Sequence, residues 1–399
     1  MGRDTAKHHC MIVHAYYPLG ETRVQREAEA LVERSYEVDV ICLRRKNQPL
    51  KDRFQGAKIY RLPVRRHKRG GLIVQFLEYL AFFLLAMFKV SWLYWRRRYG
   101  TIQVHNPPDF LVFATWMPRL FGARLILDLH DLMPEFYIGR SHQSPNSLPA
   151  RLVRLQERLS CHFAHQVITV SHHWRKAVIE RGVPAEKVSV VMNVADDRIF
   201  RPPPDRPRRA RPNGELRLVY HGMVTYWYGL DLILQAMSRL RPEAPHIHLT
   251  LLGAGQYMET LMRMADELDL NDLVTFHWGF RPAEELPAII LDADAGIVPY
   301  RDDVFTDGLV PTKLMEYAAL GLPAIAARTT AIEAYFSDTM VEFFEPGDVD
   351  DLTRCIRVLY ENPGRLKELA RGSERFNQRY NWTKIGAEYA ALVERLSKR

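Results

Sequence analysis

Short runs rich in β-branched and apolar residues alternate with helix-spaced segments along the whole chain, and the alternation starts twice. The first series opens with "HCMIVHA" and "EVDVICL" and continues through "TIQVH", "RLILDLH", "QVITV" and "KVSVVMN". The second opens with "LRLVYHG" and continues through "HIHLTLLGAG", "LVTFHWG", "AGIVPY", "PAIAA" and "MVEFFE". Runs that are apolar at nearly every position are buried on both faces, so each series predicts a parallel sheet covered by helices. Between the two lies "RPPPDRPRRARP", with five prolines, five arginines and no apolar periodicity, the composition of a linker. The reading is α/β, with two doubly wound Rossmann-like domains at 1–200 and 214–380 joined by a linker at 201–213. A terminal helix follows at 381–399. A length of 399 residues fits two cores better than one.

With 47% hydrophobic and 26% charged residues, the composition is that of a globular protein. The net charge of +8 suits nucleic acid, an anionic membrane or phosphorylated substrates, without choosing among them. Nucleic acid is not expected, because no recognised module or basic groove with interleaved aromatics is present. The four cysteines, Cys10, Cys42, Cys161 and Cys355, have no metal-type spacing and read as buried thiols of a reducing compartment. The N-terminal stretch lacks the apolar run and cleavage site of a signal peptide, so a cytoplasmic location is expected.

Residues 72–95, "LIVQFLEYLAFFLLAMFKVSWLYW", are long enough to cross a bilayer. Gln75, Glu78 and Lys89 interrupt them, and the strand-like "TIQVH" follows almost at once. A spanning helix would tear a strand–helix–strand unit apart. The expectation is a helix partly buried in the fold with one apolar face resting on an anionic membrane surface. The basic runs at 44–46, 65–69 and 96–98 suit such a leaflet, and each alone also reads as a solvated surface.

Ligands of doubly wound domains sit at the carboxyl ends of the strands, which directs attention to those residues, and two facing domains place their sites across one cleft. In the second domain Gly222 ends the first strand, and Gly253-Ala254-Gly255 ends the next. Small residues there admit an anion to backbone amides, or simply allow a tight turn. The stretch "VPTKLMEYAALGLPAIA" (310–326) predicts a helix opened by Pro311 and closed by Gly321. Lys313 in its first turn opposes the helix dipole. Either Lys313 and Glu316 form an exposed i, i+3 pair, or an anion and a diol sit at the helix start, as a nucleoside diphosphate would. In the first domain "DLHDLMPE" gathers Asp128, His130, Asp131 and Glu135 at a strand end, with Asp128 and His130 on one face. A metal is not expected there, because no second histidine stands at helical or strand spacing. "HNPPDF" ends the preceding strand, with His105, Asn106 and a helix-capping Asp109.

The order and spacing of these pieces resemble the retaining nucleotide-sugar glycosyltransferases of the GT-B fold, the "glycosyl transferases group 1", family 4-like type. The resemblance covers nearly the whole chain. The runs "VITVSHHWRKAVIERGVPAEKVSVVMNVADDRIF" and "VPTKLMEYAALGLPAIA" carry it most specifically. It implies two domains facing across a cleft, with the terminal helix crossing back to the first domain. It implies a nucleoside diphosphate sugar as donor, a glycan or lipid-linked acceptor, and retention through a front-face route without a metal or other cofactor. Polysaccharide or glycoconjugate biosynthesis is the expected setting, and the basic, apolar first domain points to a cytoplasmic membrane face.

Residue by residue, Glu316 would bind the nucleotide ribose. Leu309, Val310, Thr312 and Lys313 would hold the diphosphate, with Gly222, Gly253, Gly255 and Asp307 nearby. His130 would contact the donor sugar, so His130, Lys313 and Glu316 form the catalytic set. Gly20, Asn106 and Asp131 would line the acceptor side. Three departures stand out. Gly308 occupies a position that is often acidic in the family, with Asp307 beside it. Met223 and Tyr228-Gly229 stand where the family carries an arginine and a Lys-Gly pair. The usual two-glycine loop is reduced to "PLGE". Lys313, Arg301 and Arg281 are the candidates to replace the lost cations. Binding without turnover and a GT-B sugar-nucleotide epimerase are the alternative readings. A dinucleotide oxidoreductase is excluded, since neither "HAYYPLGE" nor "YHGMVTYWYG" supplies Gly-x-Gly-x-x-Gly.

Overall fold

A computed structural model describes residues 7–18, 20–66, 72–141, 144–202 and 214–398. Most of the linker, 203–213, therefore lies outside the described residues, as does the end of the basic run at 67–69. The chain forms two compact units, residues 1–193 together with 383–399, and residues 194–382. The division falls at Asn193, a few residues before the sequence-based boundary at 200, because Val194–Phe200 belongs with the second unit.

The first unit has an eight-stranded sheet. Its strands are β1 (His8–Val13), β2 (Glu37–Leu43), β3 (Lys51–Phe54), β4 (Ala57–Leu62), β5 (Thr101–His105), β6 (Arg124–Leu129), β7 (Gln166–Thr169) and β8 (Val188–Val190). Their order is β3-β4-β2-β1-β5-β6-β7-β8, with β3 alone antiparallel to its neighbour. The direction of winding reverses between β1 and β5, which places the switch point at Val13 and His105. The β3–β4 hairpin is absent from the sequence reading. Three of the four β3 residues are charged, and its exposed edge carries no apolar alternation. A two-residue turn at Gln55-Gly56, both with positive φ, and the pairing with β4 define it instead.

The second unit has a six-stranded parallel sheet of β9 (Leu216–Met223), β10 (Ile247–Ala254), β11 (Val274–Trp278), β12 (Ala295–Val298), β13 (Ala324–Ala327) and β14 (Glu342–Phe344). The order β11-β10-β9-β12-β13-β14 puts its switch point between β9 and β12. β12, β13 and β14 are buried throughout, in keeping with their continuous apolar runs, while the edge strand β11 buries only Val274.

Helices fill the crossovers where periodicity placed them, with differences of which two fall in the first unit. Residues 109–120 divide into a 3-10 turn, Asp109–Thr115, and a short helix, Trp116–Leu120. A helix over Met133–Ser141, unmarked by amphipathic spacing, follows β6. The four cysteines are buried and unpaired.

The terminal helix Trp382–Ser397 packs on the first unit through buried Tyr389, Ala390 and Val393. The Tyr389 hydroxyl donates to Gln103 Oε1 at 2.6 Å on β5. Tyr389→Phe leaves that buried amide oxygen without its donor and destabilises the first unit by about 1–2 kcal/mol. Urea unfolding read by tryptophan fluorescence checks this, and an unchanged midpoint would show that the bond contributes nothing.

Candidate functional site

In the second unit the helix Thr312–Ala319 follows β12 and its loop. Pro311 is its N-cap, extended at φ −71°, ψ 128°, rather than its first turn. Gly321, at φ +65°, ends it with paired bonds from Leu322 N to Tyr317 O and from Gly321 N to Ala318 O, a Schellman closure. The helix buries Lys313, Leu314, Met315, Tyr317 and Ala318. Burying a lysine here is unexpected from either reading of the sequence. Lys313 is 9% exposed, and its ammonium lies 5.0 Å from the Tyr220 and Tyr228 rings and 5.4 Å from Tyr300. Nζ also donates to the Tyr300 hydroxyl at 3.3 Å. Tyr228 and Tyr300 stack with centroids 4.7 Å apart. Three ring faces thus take the place of water around the cation. Burial outweighs the nearby Glu316 carboxylate and lowers the Lys313 pKa to about 8.

Glu316 does not pair with Lys313. Its Oε2 meets His221 Nε2 at 2.5 Å, and His221 Nδ1 meets the Tyr317 hydroxyl at 3.1 Å. That hydroxyl donates to the Val219 carbonyl on β9 at 3.1 Å. The Tyr317 ring fits because Gly296 on β12 has no side chain, since a Cβ there would come within 2.2 Å of the ring. The chain Glu316–His221–Tyr317–Val219 therefore fixes the helix against the end of β9. An exposed Lys–Glu pair is the expectation that fails here, because both side chains turn inward to separate partners.

The glycines divide by role. A Cβ on Gly222, at φ +121°, would stand 3.4 Å from Lys313 Cε, so a side chain there would cover the buried cation. Gly253 and Gly255 instead face the backbone after β9, where a Cβ would lie 1.9 Å from the Gly222 and Val224 carbonyl oxygens. Close chain packing accounts for both. Asp307 accepts from Thr330 N at 2.7 Å and braces the next helix, and Leu309 N donates to Thr306 O at 3.1 Å. Val310 and Thr312 flank Pro311 at the helix start. Arg301 is held by Asp231 and lies 4.2 Å over the Tyr226 ring, while Arg281 is half exposed beside Glu285. Lys313 is thus the cation of the candidate set that sits at the switch point.

In the first unit a buried polar network underlies the strand ends. Arg23 grips Asp128 with two bonds, Nε to Oδ2 at 3.1 Å and Nη2 to Oδ1 at 2.8 Å. It also meets Glu27 at 3.1 Å and donates to the Val191 carbonyl at 2.8 Å. Gln103 donates to Glu27 at 2.7 Å and to Asp128 at 3.0 Å. The parallel register sets His105 beside Asp128. His105 Nδ1 lies 3.1 Å from Asp128 Oδ2 and 3.1 Å from His130 Nε2. Asp128 is fully buried and His130 is 20% exposed at the top of this stack. Burial alone would lower the His130 pKa, but the Asp128 carboxylate overcomes it and holds it raised. Burial also opposes charge on Asp128, yet Arg23 keeps it well below the usual carboxylate range.

Among the described residues, His105, Asp128 and His130 are the one group whose ligand-type atoms lie within 4.8 Å of one another. The second histidine that sequence spacing could not supply comes from the neighbouring strand. Arg23 and Gln103 already occupy the carboxylate, and a guanidinium against it opposes a bound cation. The acceptor-side set divides as well. Asn106 is buried, donating to Asp109 at 2.8 Å and to the Asp131 carbonyl at 2.6 Å while accepting from His130 N at 2.6 Å. It shapes the 130–131 loop. Asp109 is held by Asn106 within a 3-10 turn whose N-cap is Pro108, so it is not the cap. Asp131 is half-buried, and its carboxyl is raised by burial. Gly20 sits in an exposed turn at φ +87° with nothing within 4 Å of a Cβ. Arg23, Glu27 and Gln103 were not apparent in the sequence. Charged residues within an apolar helical stripe, at 23 and 27, were the available signal.

Two family models match consecutive parts of the chain. Residues 20–194 match the model described as "Glycosyl transferase 4-like domain", and residues 203–376 match "Glycosyl transferases group 1". A GDP-mannose-dependent alpha-(1-6)-phosphatidylinositol monomannoside mannosyltransferase of Mycolicibacterium smegmatis is 32% identical over 172 residues, 41% of this chain and 44% of that protein. The chain spans about half the length of the curated relatives it matches. A sucrose-phosphate synthase structure from Thermosynechococcus elongatus superposes with TM-score 0.77 at 19% identity, covering 98% of this chain and 99% of that one. Anabaena HepE in complex with UDP-glucose gives TM-score 0.69 at 15% identity, covering 97% and 99%. These likenesses show a shared fold.

The Lys313 environment sets a pH test. Its pKa of about 8 lies below the usual 10.5, so between those values the unfolded chain binds more protons than the folded one. Stability at this site therefore rises with pH across that window, on the order of 2–3 kcal/mol. Lys313→Met removes the rise. Denaturant titrations of both proteins at pH 7 and pH 10 check it, and equal pH dependence would refute the buried-cation assignment.

Proposed function

Since the chain belongs to the group 1 glycosyltransferases, we propose that it transfers a sugar from a nucleoside diphosphate sugar to an acceptor hydroxyl, with retention. The observation that carries this reading is Lys313, held at the β9–β12 switch point beside Gly222, with Glu316 one turn further along the same helix. A helix start of this kind suits an anion, and a carboxylate one turn further on can accept hydrogen bonds from a diol. The GDP-mannose dependence of the mycobacterial relative and the UDP-glucose complex of HepE support a donor of this class. The relative's phosphatidylinositol monomannoside supports a lipid-linked or glycan acceptor.

In this mechanism the diphosphate approaches over Gly222, where no side chain blocks the ammonium. Lys313 turns from the tyrosine rings to the leaving oxygen as the C1–O bond breaks. Its charge, desolvated in advance, stabilises the developing diphosphate more than a hydrated lysine would. The leaving phosphate accepts the acceptor proton on the same face, so no metal and no separate side-chain base is required. Glu316, oriented by His221, accepts hydrogen bonds from the ribose. The second reading, binding without turnover, rests on Met223 and Gly308 standing where the resemblance implies charge and on Arg301 being tied to Asp231.

A panel of nucleotide sugars with detection of released nucleoside diphosphate separates the two readings. Turnover or slow hydrolysis with one donor is expected, whereas donor binding without any release supports the second. Glu316→Ala weakens nucleotide affinity about 10- to 100-fold by removing charged hydrogen bonds; titration calorimetry reads this, and unchanged affinity would end the ribose assignment. An anion at Lys313 raises its pKa, so at pH 9 donor binding takes up close to one proton. Calorimetry in buffers of different ionisation enthalpy measures that uptake, and it vanishes in Lys313→Met.

A further inference from the structure

The helix Leu148–Phe163 buries Ala150, Glu157, Ser160 and Cys161 in the first unit. Its opposite face exposes Leu148 at 71%, Leu152 at 56%, Leu155 at 51% and Leu159 at 52%. These leucines follow one another at intervals of four, three and four residues, the d-a-d-a order of a heptad seam. The next d position is His162, where the apolar line ends. With 3.6 residues per turn the four leucines fall within an arc of about 60°. A helix that lies on a broad apolar surface carries a stripe of about 100° or more, whereas a narrow a/d line is the seam of a helix pair. The helix Leu72–Arg97 shows the contrast, since its exposed Phe76, Leu77, Leu85 and Phe88 spread over about half of its circumference.

The two borders of the seam differ. Arg151 and Arg158 stand at the g positions on one side, and Pro149, Gln156 and Phe163 at the e positions on the other. Glu157 lies on the buried face, where Arg181 meets it at 2.7 Å, so no carboxylate borders the leucines. In a parallel pair g of one helix faces e of the other, and each arginine then meets a neutral residue of the second copy. An antiparallel pair sets g against g and would bring the arginines of the two copies together, a repulsive arrangement. Each helix is already folded on its own sheet, so pairing has little chain left to order. A stable interface takes roughly 800 Å² from each partner, more than a short seam supplies. Phe163 packs on Phe113 at 4.9 Å, and the adjoining short helix exposes Trp116 at 49% and Leu120 at 68%, which extends the apolar surface at this end.

We propose that two copies of this chain associate through a parallel, two-fold symmetric pairing of their Leu148–Phe163 helices, with Leu152, Leu155 and Leu159 of each packed on the same residues of the other. Association of this kind is independent of turnover at the donor site. Sedimentation equilibrium of the full, unmodified chain between about 1 and 100 µM reads it directly. A monomer–dimer equilibrium is expected, tightening with added salt because each copy carries a net charge of +8. A chain that stays monomeric across this range, whether or not it floats with lipid vesicles, overturns the proposal. Leu152→Glu with Leu155→Glu, both on the solvent face, gives a monomer whose circular dichroism matches the parent, and a persisting dimer places the interface elsewhere and overturns the assignment. Gln156→Glu sets a carboxylate opposite Arg151 of the second copy and tightens association about threefold to fivefold at low salt, from two exposed ion pairs. Unchanged or weaker association of that variant rules out the parallel geometry. In Leu155→Cys the new thiol meets its own copy across the two-fold axis, and mild oxidation yields a crosslinked dimer while the four native cysteines, all buried, do not compete. Failure to crosslink likewise overturns the parallel register.

Discussion

The buried contact between Arg23 and Asp128 organises the first unit. Removing two charges from water costs several kcal/mol for each, and only good geometry with further hydrogen bonds offsets it. Both conditions hold here. The guanidinium grips the carboxylate with two bonds, and Gln103, Glu27, His105 and Val191 meet most of the remaining donors and acceptors. Because these groups come from the helix Thr22–Val32, β5, β6 and the segment after β8, the network fixes four elements to one another. Tyr389 adds the terminal helix through Gln103. His130 stands at the top of this stack, so its position and its raised pKa are consequences of a pair that never meets solvent.

The second unit solves a similar problem with different chemistry. Where the first unit neutralises a buried cation with carboxylates, the second surrounds Lys313 with tyrosine rings. Aromatic faces attract the ammonium without giving it a full counter-charge. The cation is therefore desolvated but not satisfied, and its lowered pKa is the measure of that state. Glu316, the nearest carboxylate in the chain, is turned away to His221. A lysine in this condition differs in kind from one in an exposed Lys–Glu pair.

The long helix after β4 shows how one element meets two demands. Its inner face completes the packing of the first sheet, and its outer face keeps the same apolar character. Hydropathy alone reports the sum of the two faces and so resembles a spanning segment. Exposure separates them. The same limit applies to the β3–β4 hairpin, whose charged edge strand carries no periodic signal, and to Gly253 and Gly255. Those two glycines resemble an anion loop in sequence, while the approach of the Gly222 and Val224 carbonyls explains them in space.

By itself the sequence determined the class of fold, because two series of continuous apolar strands with helical crossovers leave little else than two parallel sheets. It also determined where to look, since strand ends and the start of the helix at Pro311 are local features. Helix and strand periods act over a few residues, and a linear reading captures them. What only the tertiary structure decided is which side chains meet. His105 and Asp128 are neighbours through strand register across 23 residues of sequence, Tyr389 reaches Gln103 across 286, and Glu316 chooses His221 over the lysine one turn away. Those choices depend on which groups are buried together and what desolvation then requires of them, and no local pattern encodes that.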